Sequence, residues 1–186
     1  MARRAVFLDR DGVILRPYLE GDTPRPARSL EEFAYLPRVG EALALLRGTG
    51  MLLVVVTNQP DVARGLTSRS LVEAFHERLR SDLGLNHIYT CFHDDPDACP
   101  CRKPKPGLLQ RAAAELDISL PTSFMVGDRW RDIEAGRRVG CTTILVREAY
   151  SGEIQADLEV PSLFAAAEHI RLAIRGAGGY RVPEAR

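Results

Sequence analysis

Two carboxylates, Asp9 and Asp11, stand two residues apart directly after the short apolar run Ala5–Leu8. If that run is a strand, both side chains point to the same side while Arg10 faces away. Carboxylates this close repel each other unless a cation lies between them, and they can divide their work between a nucleophile and a proton carrier. A surface turn or a calcium loop is the alternative. However, no Glu stands at the last ligand position of a calcium loop, and a buried strand precedes this turn.

Polar residues also follow two other apolar runs. Thr57 and Asn58 end the run 51–56, and Asp128 follows the run 123–126. Ligands of open α/β sheets bind beyond the carboxyl ends of the strands, so these groups are expected to converge with the first pair. Taken singly, each has an ordinary alternative, because Thr and Asn also terminate strands and Asp often caps a helix.

A pair of cations, Arg102 and Lys103, stands just before Pro106, where a helix is expected to begin. The start of a helix favours anions, so this position suits a phosphate group. A solvated basic turn is the alternative for this segment alone.

Four soft metal ligands lie within eleven residues: Cys91, His93, Cys99 and Cys101. Tetrahedral Zn²⁺ binds such a set, and four protein ligands close the site, which makes the zinc structural rather than catalytic. A disulfide between Cys99 and Cys101 would be strained. We call 91–101 the zinc loop, and its expected role is to fix the two cations that follow it directly.

Five short apolar runs predict buried parallel strands. They are Ala5–Leu8, 51–56, 87–92, 123–126 and Thr142–Val146. Helical patterns lie between and after them, at 39–46, 71–79, 108–116, 132–139 and 162–175. This alternation predicts an α/β protein with a doubly wound, Rossmann-like parallel sheet.

The length of 186 residues fits one domain, which we place at 1–175, with a C-terminal tail at 176–186. The segment 16–31 contains prolines and glycine and has no periodicity. It is too long for a simple connection, so we expect it to fold over the site as a substrate loop.

Charge and hydropathy exclude several classes of partner. Lys plus Arg and Asp plus Glu both number 25, so the chain has no general basic field for nucleic acid. No apolar run has the length of a membrane span, and the first residues lack the apolar stretch of a signal peptide. We therefore expect a cytoplasmic monomer that acts on a small molecule, with reduced cysteines.

The order Asp-x-Asp-Gly, Thr, Lys, Gly-Asp along this α/β pattern resembles the haloacid dehalogenase-like superfamily over roughly residues 5–147. The resemblance implies that Asp9 attacks phosphorus to form an aspartyl-phosphate. It also implies that Asp11 protonates the leaving oxygen and later activates water. Thr57 and Lys103 would steady the phosphoryl group.

The same resemblance implies a catalytic Mg²⁺ held by Asp9, the backbone carbonyl of Asp11, and Asp128. Such a site stabilises a highly charged phosphoryl transfer electrostatically, with the metal as Lewis acid. Dehalogenases of the superfamily lack the second Asp, so the presence of Asp11 favours a phosphatase.

The zinc loop and the segment 101–104 after it resemble the D-glycero-D-manno-heptose 1,7-bisphosphate 7-phosphatases and the related histidinol-phosphatases. Thr57-Asn58-Gln59 and Ala63-Arg64-Gly65 are more similar to the heptose branch. Members of this family carry no large cap domain. Leu15 and Pro60-Asp61 depart from the usual pattern of the heptose enzymes.

The expected substrate contacts are Asn58, Gln59, Arg64, Arg102 and Arg129. By the same resemblance, Arg102 and Arg129 meet the substrate away from the reacting phosphate, and a guanidinium suits the second phosphate of a sugar bisphosphate. The predicted activity is hydrolysis of the 7-phosphate of D-glycero-D-manno-heptose 1,7-bisphosphate. The alternatives are a histidinol-phosphate phosphatase and a zinc-stabilised binding module that has lost catalysis.

Overall fold

The computed structural model describes residues 2–175, and the predicted tail at 176–186 lies outside them. Six strands form one parallel sheet: β1 (Ala5–Leu8), β4 (Leu52–Asn58), β5 (His87–Cys91), β6 (Phe124–Gly127), β7 (Thr142–Val146) and β8 (Leu158–Val160). Their spatial order is β5-β4-β1-β6-β7-β8, so β1 lies inside the sheet between β4 and β6. The predicted doubly wound α/β fold is confirmed.

Strand side chains alternate between two hydrophobic layers, as the period of two requires. Val6 and Leu8 belong to one layer, and Ala5 and Phe7 belong to the other. All four are fully buried, because helices cover both faces of the sheet. This explains why the strands are nearly continuous apolar runs.

Five helices supply these two covers: α1 (Val39–Arg47), α2 (Arg69–Leu83), α3 (Gly107–Leu116), α4 (Trp130–Arg137) and α5 (Leu163–Arg175). Helices α1, α2 and α5 pack in the layer of Val6, whereas α3 and α4 pack in the layer of Phe7. Ser68 caps the start of helix α2, where its hydroxyl accepts a hydrogen bond from the backbone N–H of Leu71, and Gly84 caps its end in the left-handed conformation.

The segment 16–31 contains a small antiparallel hairpin of β2 (Tyr18–Glu20) and β3 (Thr23–Arg25). Within residues 2–175 this hairpin is the only sheet outside the main one, which agrees with the expected lack of a large cap domain. Its two strands and β8 are three residues each, and they were not predicted from the sequence. No helix in the described part of the chain is long and apolar enough to cross a membrane.

Candidate active site

The polar groups predicted to converge do meet beyond the carboxyl ends of the central strands. Asp9 follows β1, Thr57 and Asn58 end β4, and Asp128 follows β6, which are three adjacent strands. Asp9 and Asp128 are almost completely buried. Two carboxylates withdrawn from water at one end of the sheet need a compensating cation.

Lys103 supplies part of that positive charge. Its ammonium nitrogen lies 2.8 Å from Oδ1 of Asp9 and 2.5 Å from Oδ1 of Asp132, and it also donates to the carbonyl of Val56. Burial alone would lower the pKa of Lys103, but Asp132 and Asp9 raise it above its ordinary value. The lysine therefore remains charged although it is 1% exposed.

Asp128 retains an unpaired oxygen in a fully buried position. Tyr150 donates to its Oδ2 at 2.8 Å, whereas its Oδ1 has no hydrogen-bond partner. Burial raises the pKa of Asp128 well above its usual range, and the charges of Asp132 and Asp9 raise it further. Asp9, Asp128 and Asp132 each present a carboxylate oxygen, and these oxygens lie within 4.8 Å of one another. An orphaned oxygen in an all-carboxylate group fits a hard divalent cation such as Mg²⁺.

Two glycines make room for this group. A Cβ at Gly12 would lie 2.1 Å from Oδ2 of Asp128, and a Cβ at Gly127 would lie 2.1 Å from Cβ of Asp132. Gly12 also has a φ of +91°, which side chains rarely adopt. The glycine of the Asp-x-Asp-Gly segment is thus required by the close approach of Asp128.

Asp11 lies beside this group and contributes no carboxylate oxygen to it. Its Oδ2 accepts from Nε2 of Gln59 at 2.8 Å and pairs with Nη2 of Arg10 at 3.0 Å. The expectation that Arg10 faces away from the pair is wrong, because its long side chain folds back onto the neighbouring carboxylate. Asp11 still reaches the cavity in front of the strands.

That cavity has a volume of about 290 Å³ and is rich in guanidinium groups. Its lining includes Arg25, Arg28, Arg64, Arg102, Arg129 and Arg131 together with Asp9, Asp11 and Lys103. Arg25 and Arg28 come from the segment 16–31, so this segment contributes part of the cavity lining. That it folds over a bound substrate stays a prediction.

Acidic side chains hold most of these arginines in place; Asp61 is buried, whereas Asp95 is exposed. Asp61 contacts Arg28 and Arg64, and Asp95 contacts both Arg102 and Arg131. The hydrogen bond of Arg102 to Asp95 is the largest cause that holds the pKa of Asp95 below its ordinary value, followed by that of Arg131.

Arg129 is engaged differently from the other arginines of the cavity. Its Nη2 donates to the carbonyl of Pro24 at 2.5 Å, which ties the hairpin to the end of β6. Among the described residues, its recorded carboxylate contact is Asp128 at 3.9 Å, too long for a hydrogen bond. Its charge is therefore the least neutralised of the six.

The other predicted contact residues differ in their access to the cavity. Asn58 lines the cavity. Its side-chain amide also holds the backbone of Lys103, because it donates to the carbonyl of that residue and accepts from its N–H. Arg64 lines it and pairs with Asp94 at 2.7 Å. Gln59 is fully buried behind Asp11, and its amide also donates to Thr57 at 2.8 Å. Its position indicates support of the two side chains rather than contact with a ligand.

The four predicted zinc ligands form one cluster. Sulfur–sulfur distances among Cys91, Cys99 and Cys101 run from 3.2 to 3.6 Å, and Nδ1 of His93 lies 3.3 Å from Sγ of Cys101. Sulfur atoms bound tetrahedrally at about 2.3 Å are about 3.8 Å apart, so this donor set fits Zn²⁺ after a small expansion. Burial raises the pKa of the Cys91 thiol, so a thiolate there needs a cation.

Three residues of the site were not singled out from the sequence. Asp132 stands one helical turn after Asp128, and that spacing at a helix start puts both carboxylates at one end of α4. Arg131 and Tyr150 carry no motif, and the sequence offers no signal for them.

Comparisons with known proteins agree with this geometry. The chain matches the HAD-hydrolase-like family over residues 100–166. It is 38% identical over 154 residues to D-glycero-beta-D-manno-heptose-1,7-bisphosphate 7-phosphatase of Pseudomonas aeruginosa, covering 79% of this chain and 83% of that one. It is 37% identical over 180 residues to the enzyme of the same name from Haemophilus ducreyi, covering 88% and 96%.

A solved structure is similar over nearly the whole fold. The D,D-heptose 1,7-bisphosphate phosphatase of B. bronchiseptica, complexed with magnesium and phosphate, superposes with a TM-score of 0.78 at 30% identity. The match covers 90% of this chain and 97% of that one. Fold and site therefore define a HAD-like phosphatase, a phosphoric monoester hydrolase. Within that class, the chain belongs to the D-glycero-D-manno-heptose 1,7-bisphosphate 7-phosphatase family.

Proposed function

We propose that this protein removes the 7-phosphate of D-glycero-D-manno-heptose 1,7-bisphosphate in a Mg²⁺-dependent reaction. The observation that carries the proposal is the pairing of a buried Asp9–Lys103–Asp128 group with an arginine-lined cavity directly in front of it. The first suits phosphoryl transfer, and the second suits a substrate with a further phosphate. Relatives that bear this enzyme's name support the substrate.

Asp9 is the nucleophile in this proposal. It reaches the cavity, and Lys103 holds its Oδ1 at 2.8 Å, which orients the carboxylate and leaves its second oxygen for attack on phosphorus. The ammonium group also offsets the negative charge of the incoming phosphoryl group. Thr57, which lies next to the carbonyl that Lys103 contacts, is proposed to help bind the phosphoryl oxygens.

A Mg²⁺ ion is proposed to bind Asp9, the backbone carbonyl of Asp11, and Asp128, with Asp132 close by. When bound, it supplies Lewis-acid stabilisation of charge on the transferring phosphoryl group. The unpaired Oδ1 of Asp128 supports this site, and so does a similar structure that was solved with magnesium and phosphate.

Asp11 is proposed to transfer protons. It donates one to the oxygen of the departing sugar, and the resulting carboxylate then takes a proton from the water that hydrolyses the aspartyl-phosphate. Its position supports this role, because it borders the cavity without belonging to the carboxylate group that fits the metal.

The second phosphate is proposed to meet the rim of the cavity at Arg129, Arg102 and Arg131. Guanidinium groups bind phosphate with paired hydrogen bonds. Arg129 is the best placed, because its charge is not already taken by a close carboxylate. Zn²⁺ in the zinc loop is proposed to hold the backbone that leads into Arg102 and Lys103. Action as a cytoplasmic monomer stays a prediction.

The test is a comparison of kcat/KM in Mg²⁺ for the heptose 1,7-bisphosphate, the heptose 7-phosphate and histidinol phosphate. We expect the bisphosphate to be preferred, and Arg129→Met to lower its kcat/KM by about 10- to 100-fold while affecting the monophosphate little. Arg111→Met is the matched control, because Arg111 is exposed on α3, pairs with Glu115 and does not line the cavity. A preference for histidinol phosphate, or equal losses on both heptose substrates, would contradict the proposed substrate.

A further inference from the structure

Arg10 is a charged side chain that is fully buried beside the site. It lies between the two acidic residues of the Asp-x-Asp-Gly segment, yet it does not line the cavity and cannot touch a substrate there. A buried ion pair is often no more stabilising than apolar residues of the same size. Stability alone therefore does not explain why a charged residue is buried here, and the contacts of Arg10 indicate its role.

Two nitrogens of the guanidinium group donate hydrogen bonds to the carboxylate of Asp11. Nε lies 3.1 Å from Oδ2, and Nη2 lies 3.0 Å from Oδ2 and 3.3 Å from Oδ1. This two-point contact fixes the plane of the carboxylate, which a single hydrogen bond does not do. Nε2 of Gln59 adds a third donor at 2.8 Å from Oδ2.

A second buried residue fixes Arg10 in turn. Nη1 of Arg10 lies 3.2 Å from Nε2 of His76 on helix α2, and the guanidinium carbon lies 5.6 Å from the ring centre of Phe75. Since arginine can only donate, Nε2 of His76 must accept, and the ring is the neutral tautomer with its proton on Nδ1. Arg10 is thus held at all three nitrogens.

We infer that Arg10, locked by His76, is a positioning residue that aims the carboxyl group of Asp11 at the leaving oxygen. This rests on the proposed role of Asp11. As Asp9 forms its bond to phosphorus and the bond from phosphorus to the ester oxygen breaks, the proton of Asp11 moves to that oxygen. The sugar departs as a neutral alcohol, and Asp11 becomes a carboxylate facing the Arg10 cation.

If Arg10 positions Asp11, the loss of activity in an Arg10 variant should depend on the leaving group of the substrate. A merely structural role would give the same loss on every substrate. An alkyl phosphate needs a proton on its departing oxygen, whereas an aryl phosphate with a weakly basic leaving group needs it far less. The measurement is kcat/KM on both substrates, because this ratio reports the steps up to departure of the leaving group and is unaffected by later hydrolysis of the aspartyl-phosphate.

For Arg10→Met we expect a loss of about 100-fold on the alkyl phosphate and less than about tenfold on the aryl phosphate. His76→Leu removes the acceptor and is expected to lose about tenfold on the alkyl substrate alone. His76→Gln restores an acceptor at a similar reach and is expected to recover most of that loss. If Arg10→Met does not fold, the comparison of His76→Leu with His76→Gln on the two substrates still tests the inference.

Leu79→Ala is the control for loosened packing, because this buried residue lies one turn further along α2. It should change both substrates by the same factor. If Arg10→Met and His76→Leu also lose equally on both substrates while Asp11→Asn discriminates, the inference about Arg10 is overturned. If Asp11→Asn itself does not discriminate, the proposed role of Asp11 fails instead.

Discussion

Lys103→Met is expected to remove both stability and activity. Lys103 is 1% exposed, and its ammonium group lies within hydrogen-bond distance of Asp9 and Asp132. Removing one partner of a buried ion pair costs about 3–5 kcal/mol, because the remaining charges are left uncompensated. Loss of a donor that stabilises charge in the transition state lowers kcat by about 10²–10³-fold.

The chain supplies its own control for this variant. It contains only two lysines among its 25 basic residues, and the other, Lys105, is exposed and donates to the carbonyls of Ala98 and Cys99. Lys105→Met is expected to cost about 1 kcal/mol or less and to retain turnover within a few-fold.

The assay is urea denaturation of the three proteins with chelator and with Mg²⁺, alongside kcat/KM. Mg²⁺ should stabilise Lys103→Met more than it stabilises the wild type, because the variant's carboxylate group has lost its only ammonium partner among residues 2–175. A Lys103→Met protein that is as stable as Lys105→Met in chelator, and that turns over normally, would refute the account of this site.

Other consequences of the structure are also measurable. Burial, with the charges of Arg10 and Arg80, lowers the pKa of His76 to about 3, below its unfolded value of about 6.5. The unfolded chain therefore takes up a proton that the folded chain does not. As the pH falls from 7 to 5, the free energy of unfolding should therefore decrease by about 2 kcal/mol on account of His76. The His76→Gln variant should lack this decrease, and an equal pH dependence of the two proteins would contradict the prediction. Mg²⁺ at 100 times its Kd should stabilise the wild type by about 2.7 kcal/mol, and Asp128→Asn should be stabilised far less in the same thermal melts. Elemental analysis should find one zinc per chain, with Cys101→Ser losing both zinc and turnover; full activity without zinc would contradict the proposed zinc loop.

The parts of the fold and site that were predictable from the sequence are those set by topology. A parallel sheet brings its strand ends together, so Asp9, Asn58 and Asp128 converge wherever the five apolar runs form adjacent strands. Strand β8 and the hairpin β2–β3 were missed because three residues are too few to show a period.

The rest of the site depends on side-chain conformation and on contacts distant in sequence. Arg10 has enough rotatable bonds to return to Asp11, and strand alternation alone gives only its starting direction. The contact of Tyr150 with Asp128 spans 22 residues and joins the loop after β7 to the end of β6. No local pattern predicts such a contact.

Chemical trapping tests the central claim, that Asp9 is the nucleophile. Reduction of an acyl-phosphate with borohydride converts an aspartyl residue to homoserine, which peptide mass spectrometry can locate. The Asp11→Asn variant, incubated with Mg²⁺ and an aryl phosphate and then reduced, should carry homoserine at position 9 and nowhere else, because the group that activates water for hydrolysis is missing. Conversion at another aspartate, or release of phosphate with no trapped residue under single-turnover conditions, would contradict it.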